Sequence, residues 1–567
     1  MISYVADFET TVEEDKTRVW AFGHCEIGNV DNFHYGNNME DFILWCRTGK
    51  NKMVYFHNLR FDGEFIIYWL LTNGYTYSKK KESKTFNAII SSAAAFYQIE
   101  IIFEKKNKKY RKVTIRDSHK KLPFSVDQIG TAFKLPVKKV EVTPDFYALE
   151  RAPGHELTPF EIEYLKADVL VVALALGIQF DQELDRMTIG SDALHNYKKI
   201  LGGGDKKAGE KVFARDFPVL PLAIDMDIRH AYKGGFTYLL DRYAGKDIGT
   251  GIVYDINSLY PAVMYYEQLP YGMPIAFLGE YQHDDFYPLF IQRLTCTFEL
   301  KPEHIPTIQI KHGGRYTSTE YLKSSRDTLG NDEVTLVLTS VDLKLFFEHY
   351  DVSVIAYEGG WKFKQCQAAF NEYIEHWTAV KVSNSKEKNA LYNLAKLMLN
   401  NLYGKFSTNP DVTGKFPYLN AGGAVSYSLA EAELSSPVYT AMGAFITAYA
   451  RDKTIRTAQK VYDRFIYADT DSIHLVGDAV PDIDIHDSEI GKWACEGVFS
   501  KGRFLRAKTY IEVMDGELHV TCAGMPDNVK EGVTWDNFHQ GLSLPGKLMP
   551  KHVPGGILLN PVNFTIS

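Results

Sequence analysis

The sequence predicts a multidomain protein of mixed α/β and α+β class. Its 567 residues exceed what one hydrophobic core usually accommodates, so we expect the chain to divide into several domains. The composition, 45% hydrophobic and 24% charged, is ordinary for globular proteins. Strand and helix patterns alternate in the first third of the chain, whereas loops and short strands become frequent from about residue 190.

Several protein classes are disfavoured. The longest apolar run, residues 169–178, is too short to cross a bilayer, and the N-terminal MISYVADFETT lacks the basic and apolar regions of a secretory signal. We therefore expect a soluble protein with no membrane partner. The cysteines have neither a CxxC pair nor zinc spacing, which favours reduced thiols in a cytoplasm. They are Cys25, Cys46, Cys296, Cys366, Cys495 and Cys522.

The charge distribution leaves two interpretations open. A formal net charge of −8 argues against a nucleic-acid partner, because phosphate binding relies on clustered Lys and Arg. Residues 79–84 (KKKESK) and 104–116 (EKKNKKYRKVTIR) are nevertheless strongly basic. One face of the protein could therefore meet a polyanion. The alternative is a solvated hairpin whose lysines block a sheet edge.

The N-terminal segment ISYVADFETT alternates as a strand, so Asp7 and Glu9 point to the same face. Two carboxylates side by side are costly unless a cation, a basic partner or a proton neutralises them. Such a pair alone is common on polar strand faces. The next segment, MVYFHNLRFDGEFIIYWLL, predicts strand, turn and helix, with Asn58 and Asp62 on either side of the turn.

A helix start follows in TPFEIEYLKADVLVVALAL. Thr158 is a suitable N-cap, Pro159 suits the first helical position, and Glu161 completes a capping box. Tyr164 and Asp168 lie four residues apart and therefore share one face of this helix.

These four carboxylates on separate elements suit two-metal phosphoryl chemistry, in which the ions lie roughly 3.5–4 Å apart. The set resembles the DEDD proofreading exonucleases, in the variant with a Tyr four residues before the last Asp. The resemblance implies that Asp7, Glu9, Asp62 and Asp168 are metal-binding and catalytic, and that Tyr164 orients the attacking water. The residues implied to contact single-stranded DNA are Thr10, His57, Asn58, Phe61, Phe65, Ser118, His119 and Lys139.

Another strand-to-helix turn occurs in GIVYDINSLYPAVM. Asp255 ends the predicted strand, the chain turns at Asn257 and Ser258, and Pro261 can start a helix. Backbone amides at such a helix start can bind phosphate. Asp255 would then be free to hold a metal.

The segment NALYNLAKLMLNNLYGKF predicts a helix ended by Gly404 as the C′ residue. Lys396, Asn400 and Tyr403 form one stripe along it. A cation, an amide and a ring together suit a nucleotide. The alternative is a solvated face of an amphipathic helix.

Two further motifs complete the C-terminal half. In FIYADTDSIHLV, Asp469 and Asp471 lie one residue apart between apolar runs, and LRAKTYIE supplies Lys508 and Tyr510. An upstream YxGG element contains Tyr232, Gly234 and Gly235, which on chemistry alone is equally a flexible turn. That alternative stays open at this point.

The ordered motifs DxxSLYP, KxxxNxxYG, YxDTD and KxY, behind the exonuclease set, resemble the family B DNA polymerases, specifically the protein-primed polymerases of bacteriophages. The resemblance implies an RNase H-like DEDD exonuclease domain and a right-hand polymerase domain with palm, fingers, thumb and two insertions. The implied boundaries are 1–185 exonuclease, 186–266 palm, 267–359 first insertion, 360–406 fingers, 407–435 second insertion, 436–523 palm and 524–567 thumb.

The resemblance assigns roles in the polymerase half. Asp255 and Asp471 would hold two Mg²⁺ ions, with Mn²⁺ as a substitute and the Ile256 carbonyl as a further ligand, while Asp469 supports the primer end. Another pair of ions would serve the exonuclease site. The implied nucleotide-binding residues are Leu259, Tyr260, Lys381, Lys396, Asn400 and Tyr403. The implied DNA-binding residues are Tyr232, Gly234, Gly235, Lys508 and Tyr510.

The resemblance also predicts partners and activities. These are template and primer DNA, dNTPs and a phage terminal protein that forms a heterodimer at initiation, the chain being otherwise a monomer in the cytoplasm of an infected bacterium. Strand displacement, processive synthesis and 3′–5′ proofreading are expected. The sequence departs from the family pattern at Asn401, where Ser is usual, at His119, where Leu is usual, and in a short second insertion.

Rival functions explain fewer residues. A nuclease alone leaves the intact polymerase carboxylates unexplained, and a non-catalytic origin-binding or terminal-protein-binding factor needs none of them. Reverse transcriptases also carry paired aspartates on a hairpin but lack the exonuclease set. Paired carboxylates in a glycosidase would leave the lysine stripe without a role.

Overall fold

The computed structural model describes residues 2–13, 15–143, 146–147, 149–309, 321–327 and 332–567. Two eight-stranded sheets organise the chain, one in the N-terminal domain (residues up to 185) and one in the C-terminal half. Within the described ranges, none of the helices combines the length and apolar character needed to cross a membrane. The first insertion is described only in part, since residues 310–320 and 328–331 lie outside these ranges.

The predicted strand that carries Asp7 and Glu9 lies near the centre of the N-terminal sheet. Ile2–Thr10 pairs antiparallel with Val19–Glu26 and parallel with Lys52–Phe56, which confirms the predicted strand. Because both neighbours are buried strands, the acidic strand is fixed in register. The sheet order is Asn29–Gly36, Val19–Glu26, Ile2–Thr10, Lys52–Phe56, Lys109–Asp117, Phe96–Lys106, Thr85–Ile90 and Thr76–Tyr77.

Helices cover this sheet, and the predicted helix start at Thr158 is confirmed. The Thr158 hydroxyl accepts from the Glu161 backbone N–H, and the Glu161 side chain accepts from the Thr158 N–H. The long helix that follows buries 13 of its 23 residues. The helices are Met39–Arg47, Leu59–Thr72, Val126–Ala132 and Pro159–Asp181, with a 3₁₀ turn at Ser118–Lys120.

The basic residues 104–116 span a hairpin of the same sheet, formed by the end of strand Phe96–Lys106 and strand Lys109–Asp117, and residues 79–84 form the loop before strand Thr85–Ile90. Lys105 pairs with Glu82, and Lys81 and Lys112 both pair with Glu100. These lysines are therefore partly neutralised by neighbouring acids, which favours the solvated-hairpin interpretation for this segment.

The second large sheet carries the remaining acidic motifs. Gly251–Ile256 lies at its centre between Trp493–Arg506 and Ser472–Val476. The sheet order is Glu517–Cys522, Thr509–Met514, Trp493–Arg506, Gly251–Ile256, Ser472–Val476, Phe465–Asp469 and Thr237–Leu239, with Asp247–Ile248 paired to Trp493–Arg506. The helices around it are Ile189–Leu201, Lys206–Asp216, Leu222–Arg229, Leu259–Tyr266 and Thr440–Lys460, with a 3₁₀ turn at Asp241–Tyr243.

A four-stranded sheet occupies most of the predicted first insertion. Its order is Leu269–Phe277, Tyr350–Cys366, Leu289–Leu300 and Val334–Thr339, joined by helix Ser340–His349, 3₁₀ turn Ser325–Asp327 and the short pair Ile308–Gln309 and Tyr321–Leu322. The boundary predicted at 359/360 is wrong, because strand Tyr350–Cys366 runs through it. Gly359 and Gly360 of this strand pack closely on Phe277 and Ile291 of the neighbouring strands.

Helices Asn371–Ser383 and Ala390–Asn401 form the predicted fingers. Gly404 was predicted to end the second helix as its C′ residue, and this prediction is wrong. Leu402 keeps helical angles (φ −71°, ψ −49°), and Gly404 lies inside a short further helix, Tyr403–Phe406. Pro261 likewise does not start its helix, which begins two residues earlier at Leu259.

Two hairpins extend from the C-terminal half. The insertion hairpin consists of Lys415–Leu419 and Val425–Leu429, and the C-terminal hairpin consists of Ser543–Val553 and Gly556–Thr565, preceded by helix Asp527–Lys530. Both contact helix Leu59–Thr72 of the N-terminal domain.

Arg451 joins three parts of the C-terminal half. Its guanidinium is buried, donates to both carboxylate oxygens of Asp342 at 2.7–3.1 Å, and donates to the carbonyls of Lys233 and Gly234 at 3.1 and 2.8 Å. The long helix, the first insertion and the YxGG element are thus held by one side chain. Bidentate, charge-assisted bonds of this kind are both strong and directional.

We predict that Arg451→Met destabilises the C-terminal half by about 3–5 kcal/mol, because it leaves the Asp342 carboxylate and two carbonyls without their donor. Arg456→Met on the same helix is the matched control. Its ion pairs with Asp452 and Glu348 are 40% exposed on the arginine side, so we expect less than about 1 kcal/mol there. Urea unfolding followed by fluorescence measures both, and equal losses would contradict the prediction.

Candidate active sites

The N-terminal domain contains an acidic cleft of about 1390 Å³. Asp7 and Glu9 enter it from the central strand, Asp62 from the first turn of helix Leu59–Thr72, and Asp168 from helix Pro159–Asp181. The structure thus brings together all four carboxylates predicted from separate elements. Thr10, Asn58, Phe61, Lys139 and Tyr164 line the same cleft, as does His57.

The fold holds the carboxylates in this cleft close together in spite of their mutual repulsion. Burial and the neighbouring Asp168 raise the pKa of Asp7 to about 7, and burial with Asp7 raises the pKa of Glu9 well above its usual value. Burial and Asp7 also raise the pKa of Asp62. Because ionised carboxylates are unfavourable here, a bound cation would lower their free energy.

The donor set of this cleft fits a hard divalent cation. One oxygen each of Asp62 and Asp168, both Oδ1, is buried without a hydrogen-bond partner. Lys139 Nζ lies 2.8 Å from Asp168 Oδ2 and supplies the positive charge nearest to the set. Carboxylate oxygens are the ligands that Mg²⁺ prefers. Among the described residues, no group of three or more His, Cys, Asp or Glu is already close enough to cage an ion.

Tyr164 lies beside these carboxylates, as the helix spacing predicts. Its hydroxyl is 3.1 Å from the hydroxyl of Tyr147, and Lys139 lies 5.7 Å from its ring centroid. Burial, followed by Glu9, raises the pKa of Tyr164, so the hydroxyl stays protonated and can donate. Tyr147 was missed by the sequence reasoning, since no motif marks it.

The structure separates the predicted single-strand contacts into exposed and buried residues. Phe61 lines the cleft, whereas Phe65 is 2% exposed and packs beneath Gly556 of the C-terminal hairpin. The predicted contact of Phe65 with single-stranded DNA would require this packing to open, and it stays a prediction. Asn58 adopts the left-handed conformation (φ 67°) at the turn, a conformation that Asn tolerates better than most residues.

Ser118 is also buried, and its predicted contact with DNA stays a prediction. Its hydroxyl donates to the Phe56 carbonyl at 3.0 Å and lies 3.0 Å from His57 Nδ1, while His57 Nε2 lies 2.8 Å from the Phe124 carbonyl. His119 contacts the His57 ring edge-on at 5.3 Å between centroids. Ser118 thus supports His57 at the cleft wall.

The second acidic site lies on the central strands of the C-terminal sheet. Asp255 ends strand Gly251–Ile256 opposite Ser472, and the Ile256 N–H donates to the Asp471 carbonyl at 2.7 Å. This bond fixes the backbone of Asp471 beside Asp255. This hydrogen bond uses the amide of Ile256, so the predicted role of its carbonyl as a ligand stays a prediction.

Repulsion between these aspartates marks the site electrostatically. Burial, then Asp471 and Glu496, raises the pKa of Asp255 to about 7, while Lys396 opposes the shift. Burial also raises the pKa of Asp471. Glu496 was not predicted. Its place on the strand beside Asp255, near the Asp255–Ala494 pair, depends on a strand pairing that no local motif encodes.

Two lysines face the aspartates from the fingers. Lys381 Nζ lies 3.3 Å from the Ser258 hydroxyl, at the left-handed turn (φ 54°) that starts helix Leu259–Tyr266. Burial, and then Lys396, lowers the pKa of Lys381, so the two ammonium groups repel each other. A polyanion between the lysines and a metal-bearing acidic pair would relieve both repulsions.

The nucleotide-facing aromatic residues stack on each other. The rings of Tyr260 and Tyr403 are 4.1 Å apart at 17°. Asn400, like Lys396, is exposed on the fingers helix, so the predicted stripe is present. Leu259, by contrast, is 1% exposed, and its side chain packs in the core. The predicted nucleotide contact of Leu259 is thus left to its backbone amide at the helix start and stays a prediction.

Asp469 differs from Asp471 in having a full set of partners. Lys508 Nζ lies 2.6 and 2.8 Å from its two oxygens, and the hydroxyls of Thr237 and Tyr467 donate to it at 3.1 and 3.3 Å. Tyr510 stacks nearby in the apolar cluster beneath. Asp469 and Asp471 therefore differ in their surroundings. The Asp469 carboxylate is neutralised, whereas the Asp471 carboxylate faces Asp255.

The YxGG element contacts the same hairpin. A side chain at Gly235 would come within 2.7 Å of the Thr470 hydroxyl, and the Thr470 N–H donates to the Phe236 carbonyl at 2.6 Å. Gly234 is held by Arg451. The two glycines and Tyr232 therefore form a packed support for the acidic turn, which argues against a freely flexible turn.

Comparison with known proteins agrees with this geometry. The family model for DNA polymerase type B, organellar and viral, matches residues 43–148 and 145–490. The DNA polymerase of Bacillus phage B103 is 47% identical over 584 aligned positions, covering 99% of both chains.

Solved structures agree as well. Phi29 DNA polymerase complexed with primer-template DNA and incoming nucleotide substrates superposes with a TM-score of 0.92 at 45% identity over 100% of both chains. The same polymerase complexed with single-stranded DNA gives a TM-score of 0.92 at the same identity and coverage. The chain therefore belongs to the organellar and viral type B DNA polymerases.

Proposed function

We propose that this chain replicates phage DNA by protein-primed initiation, followed by processive, strand-displacing synthesis with 3′–5′ proofreading. The observation that carries the proposal is the presence of two separate acidic sites, one in each half of the chain, each with carboxylates whose pKa is raised by burial and by one another and with a lysine close by. Family membership implies dependence on divalent metal ions. We assign two Mg²⁺ ions to each site, with Mn²⁺ as a substitute.

In the polymerase site, Asp255 and Asp471 would hold the ions. Bound there, they supply charge stabilisation for the α-phosphate, the primer hydroxyl and the leaving pyrophosphate. Lys396 and Lys381 bind the triphosphate, because both face the acidic pair. Tyr260 and Tyr403 separate to admit the sugar and base of the incoming dNTP.

Lys508 acts on the primer strand indirectly as well as directly. Because both of its close contacts go to Asp469, it neutralises that carboxylate and keeps the region next to the primer terminus from repelling phosphate. Tyr510 supports Lys508 from below. The YxGG element, which lies in the chain between the residues of the two acidic sites, holds the hairpin that carries Asp469 and Asp471.

In the exonuclease site, Asp7, Glu9, Asp62 and Asp168 would hold the ions that supply a hydroxide and stabilise the leaving oxygen. The Tyr164 hydroxyl orients the attacking water. Lys139 balances Asp168, and Thr10, Asn58, Phe61 and His57 hold the frayed 3′ end along the cleft wall.

Protein priming adds a terminal protein as partner, in the cytoplasm of the infected host. The two insertions, with the first described from 267 to 309, 321 to 327 and 332 to 359, support this proposal, because both lie between Asp255 and Asp471 and extend the polymerase half there. The remaining proposed boundaries, at 185/186, 266/267, 406/407, 435/436 and 523/524, fall between secondary-structure elements.

We predict that Asp7→Ala combined with Asp62→Ala abolishes degradation of single-stranded DNA, because two of the four metal-binding carboxylates are lost. Primer extension should persist, since the polymerase carboxylates lie in another domain. A 5′-labelled oligonucleotide measures degradation, and a primed template with dNTPs measures extension. Loss of both activities together would contradict two separate sites.

We predict that Asp471→Asn lowers the rate of nucleotide incorporation by at least 1,000-fold, on the order expected for a lost metal ligand at a transition state. Asp469→Asn is the matched control on the same turn. It should cost roughly 10-fold to 100-fold, a smaller loss because that carboxylate positions Lys508. Single-turnover incorporation with Mg²⁺ measures both. Equal losses would argue against the separation of roles.

We predict covalent transfer of labelled dAMP to a protein when the enzyme is incubated with Mg²⁺, labelled dATP and extract from cells infected by the source phage. Denaturing gels detect the labelled protein, and the Asp471→Asn enzyme serves as the blank. Label found only on DNA primers would leave this chain a type B polymerase without protein priming.

A further inference from the structure

Helix Leu59–Thr72 carries a buried carboxylate that neither active site uses. Glu64 is 1% exposed and faces away from the acidic cleft, towards the two hairpins of the C-terminal half. An ionised carboxylate buried among apolar residues is unfavourable unless donors surround it. The identity of its donors therefore indicates what the residue does.

The donors come from two different hairpins. The Tyr427 hydroxyl of the insertion hairpin donates to Glu64 Oε2 at 2.8 Å. His552 Nδ1 of the C-terminal hairpin lies 3.5 Å from the same oxygen. The Tyr427 and His552 rings also contact each other, with centroids 6.0 Å apart. One carboxylate oxygen thus joins three segments that are distant in sequence.

Apolar packing around Glu64 joins the same three segments. Val425 of the insertion hairpin and Ile557 of the C-terminal hairpin are both buried in the apolar core of the N-terminal domain. The turn of the C-terminal hairpin fits closely, because a side chain at Gly556 would come within 2.6 Å of the Phe65 ring. The Thr17 N–H donates to the Pro554 carbonyl at 3.0 Å.

The two hairpins also start from the same half of the chain. The insertion hairpin lies between the short helix Tyr403–Phe406 and helix Thr440–Lys460, and the C-terminal hairpin follows the last strand of the C-terminal sheet, Glu517–Cys522. Both leave the polymerase half and end on the N-terminal domain. Their meeting at Glu64 closes a ring of protein.

We propose that Glu64 is a positioning residue that fastens the insertion hairpin and the C-terminal hairpin to each other and to the N-terminal domain, and so keeps this ring closed around bound DNA. The inference rests on the proposed polymerase function. DNA held inside a closed ring leaves by sliding off an end or by waiting for the ring to open. Glu64 therefore acts on the lifetime of the DNA complex and leaves nucleotide addition itself unaffected.

The first test measures how long the enzyme stays on DNA. We expect Glu64→Ala to shorten the half-life of the complex with a primed single-stranded circle by at least fivefold, measured with excess unlabelled DNA as a trap. On a short linear duplex with free ends the change should stay below twofold, since sliding off needs no ring opening. Equal shortening on both DNAs would overturn the proposal.

Control variants distinguish the loss of ring closure from a general loss of folding. Glu104→Ala replaces an exposed glutamate of the same domain and should leave both half-lives unchanged. Tyr427→Phe removes only the hydroxyl oxygen and keeps the packed aromatic side chain. The variant should therefore fold, and it should still shorten the half-life of the complex with the circular DNA. Tyr418→Phe, at a 41% exposed tyrosine of the same hairpin, is its matched control.

A double-mutant cycle identifies Glu64 as the shared partner. If Tyr427 and His552 act through it, adding Tyr427→Phe or His552→Gln to Glu64→Ala should shorten the half-life no further. Fully multiplicative losses would overturn the proposal.

Single-nucleotide addition by enzyme saturated with primed DNA distinguishes this inference from the proposed function. Wild-type enzyme that adds no nucleotide would refute the polymerase function itself. Wild-type addition, with a Glu64→Ala rate within twofold of it and a shortened half-life on the circle, supports the ring. A Glu64→Ala rate that falls in proportion to the half-life would overturn it.

Discussion

The repulsion between Asp255 and Asp471 is the constraint on which the polymerase half depends. Two buried carboxylates on neighbouring strands raise the pKa of Asp255 to about 7 and would separate if the backbone allowed it. The backbone does not allow it, because the Ile256–Asp471 hydrogen bond, the close contact of Gly235 with Thr470 and the buried Arg451 all hold the hairpin in place. The stored repulsion is what a divalent cation would relieve.

Lysines complete both acidic sites, but in different ways. In the exonuclease cleft, Lys139 pairs directly with one member of the acidic set, Asp168. In the polymerase site, Lys508 pairs instead with Asp469, beside the set. Lys508 therefore neutralises Asp469 and forms no ion pair with Asp255 or Asp471, while Lys396 and Lys381 lie on the proposed triphosphate side. The same two residue types thus form the site proposed for a strand end and the site proposed for a nucleotide.

The two halves of the chain are connected by more than the polypeptide that links them. Val425 and Ile557 belong to the apolar core of the N-terminal domain, although both come from hairpins of the C-terminal half. The C-terminal hairpin also lines the exonuclease cleft at Leu559 and Pro561. The C-terminal hairpin thus belongs both to the region that would enclose DNA and to the wall of the exonuclease cleft. Glu64 lies where the two meet.

Local signals in the sequence determined much of the architecture. The acidic strand, the capping box at Thr158 and the hairpin around Asp469 were predictable because periodicity and capping act within a few residues. The pairing of Asp255 with Asp471 came from a family resemblance, since spacing alone favoured Asp469 as the partner of Asp471.

Only the tertiary structure decided the exposure of individual side chains and the partners of distant ones. It buried Phe65, Ser118 and Leu259, which motif position had suggested for ligand contact. It also brought Glu496 to the polymerase site and Glu64 to the hairpins. The physical reason is that burial and ion pairing depend on which surfaces pack together across hundreds of residues, and local patterns carry no record of that packing.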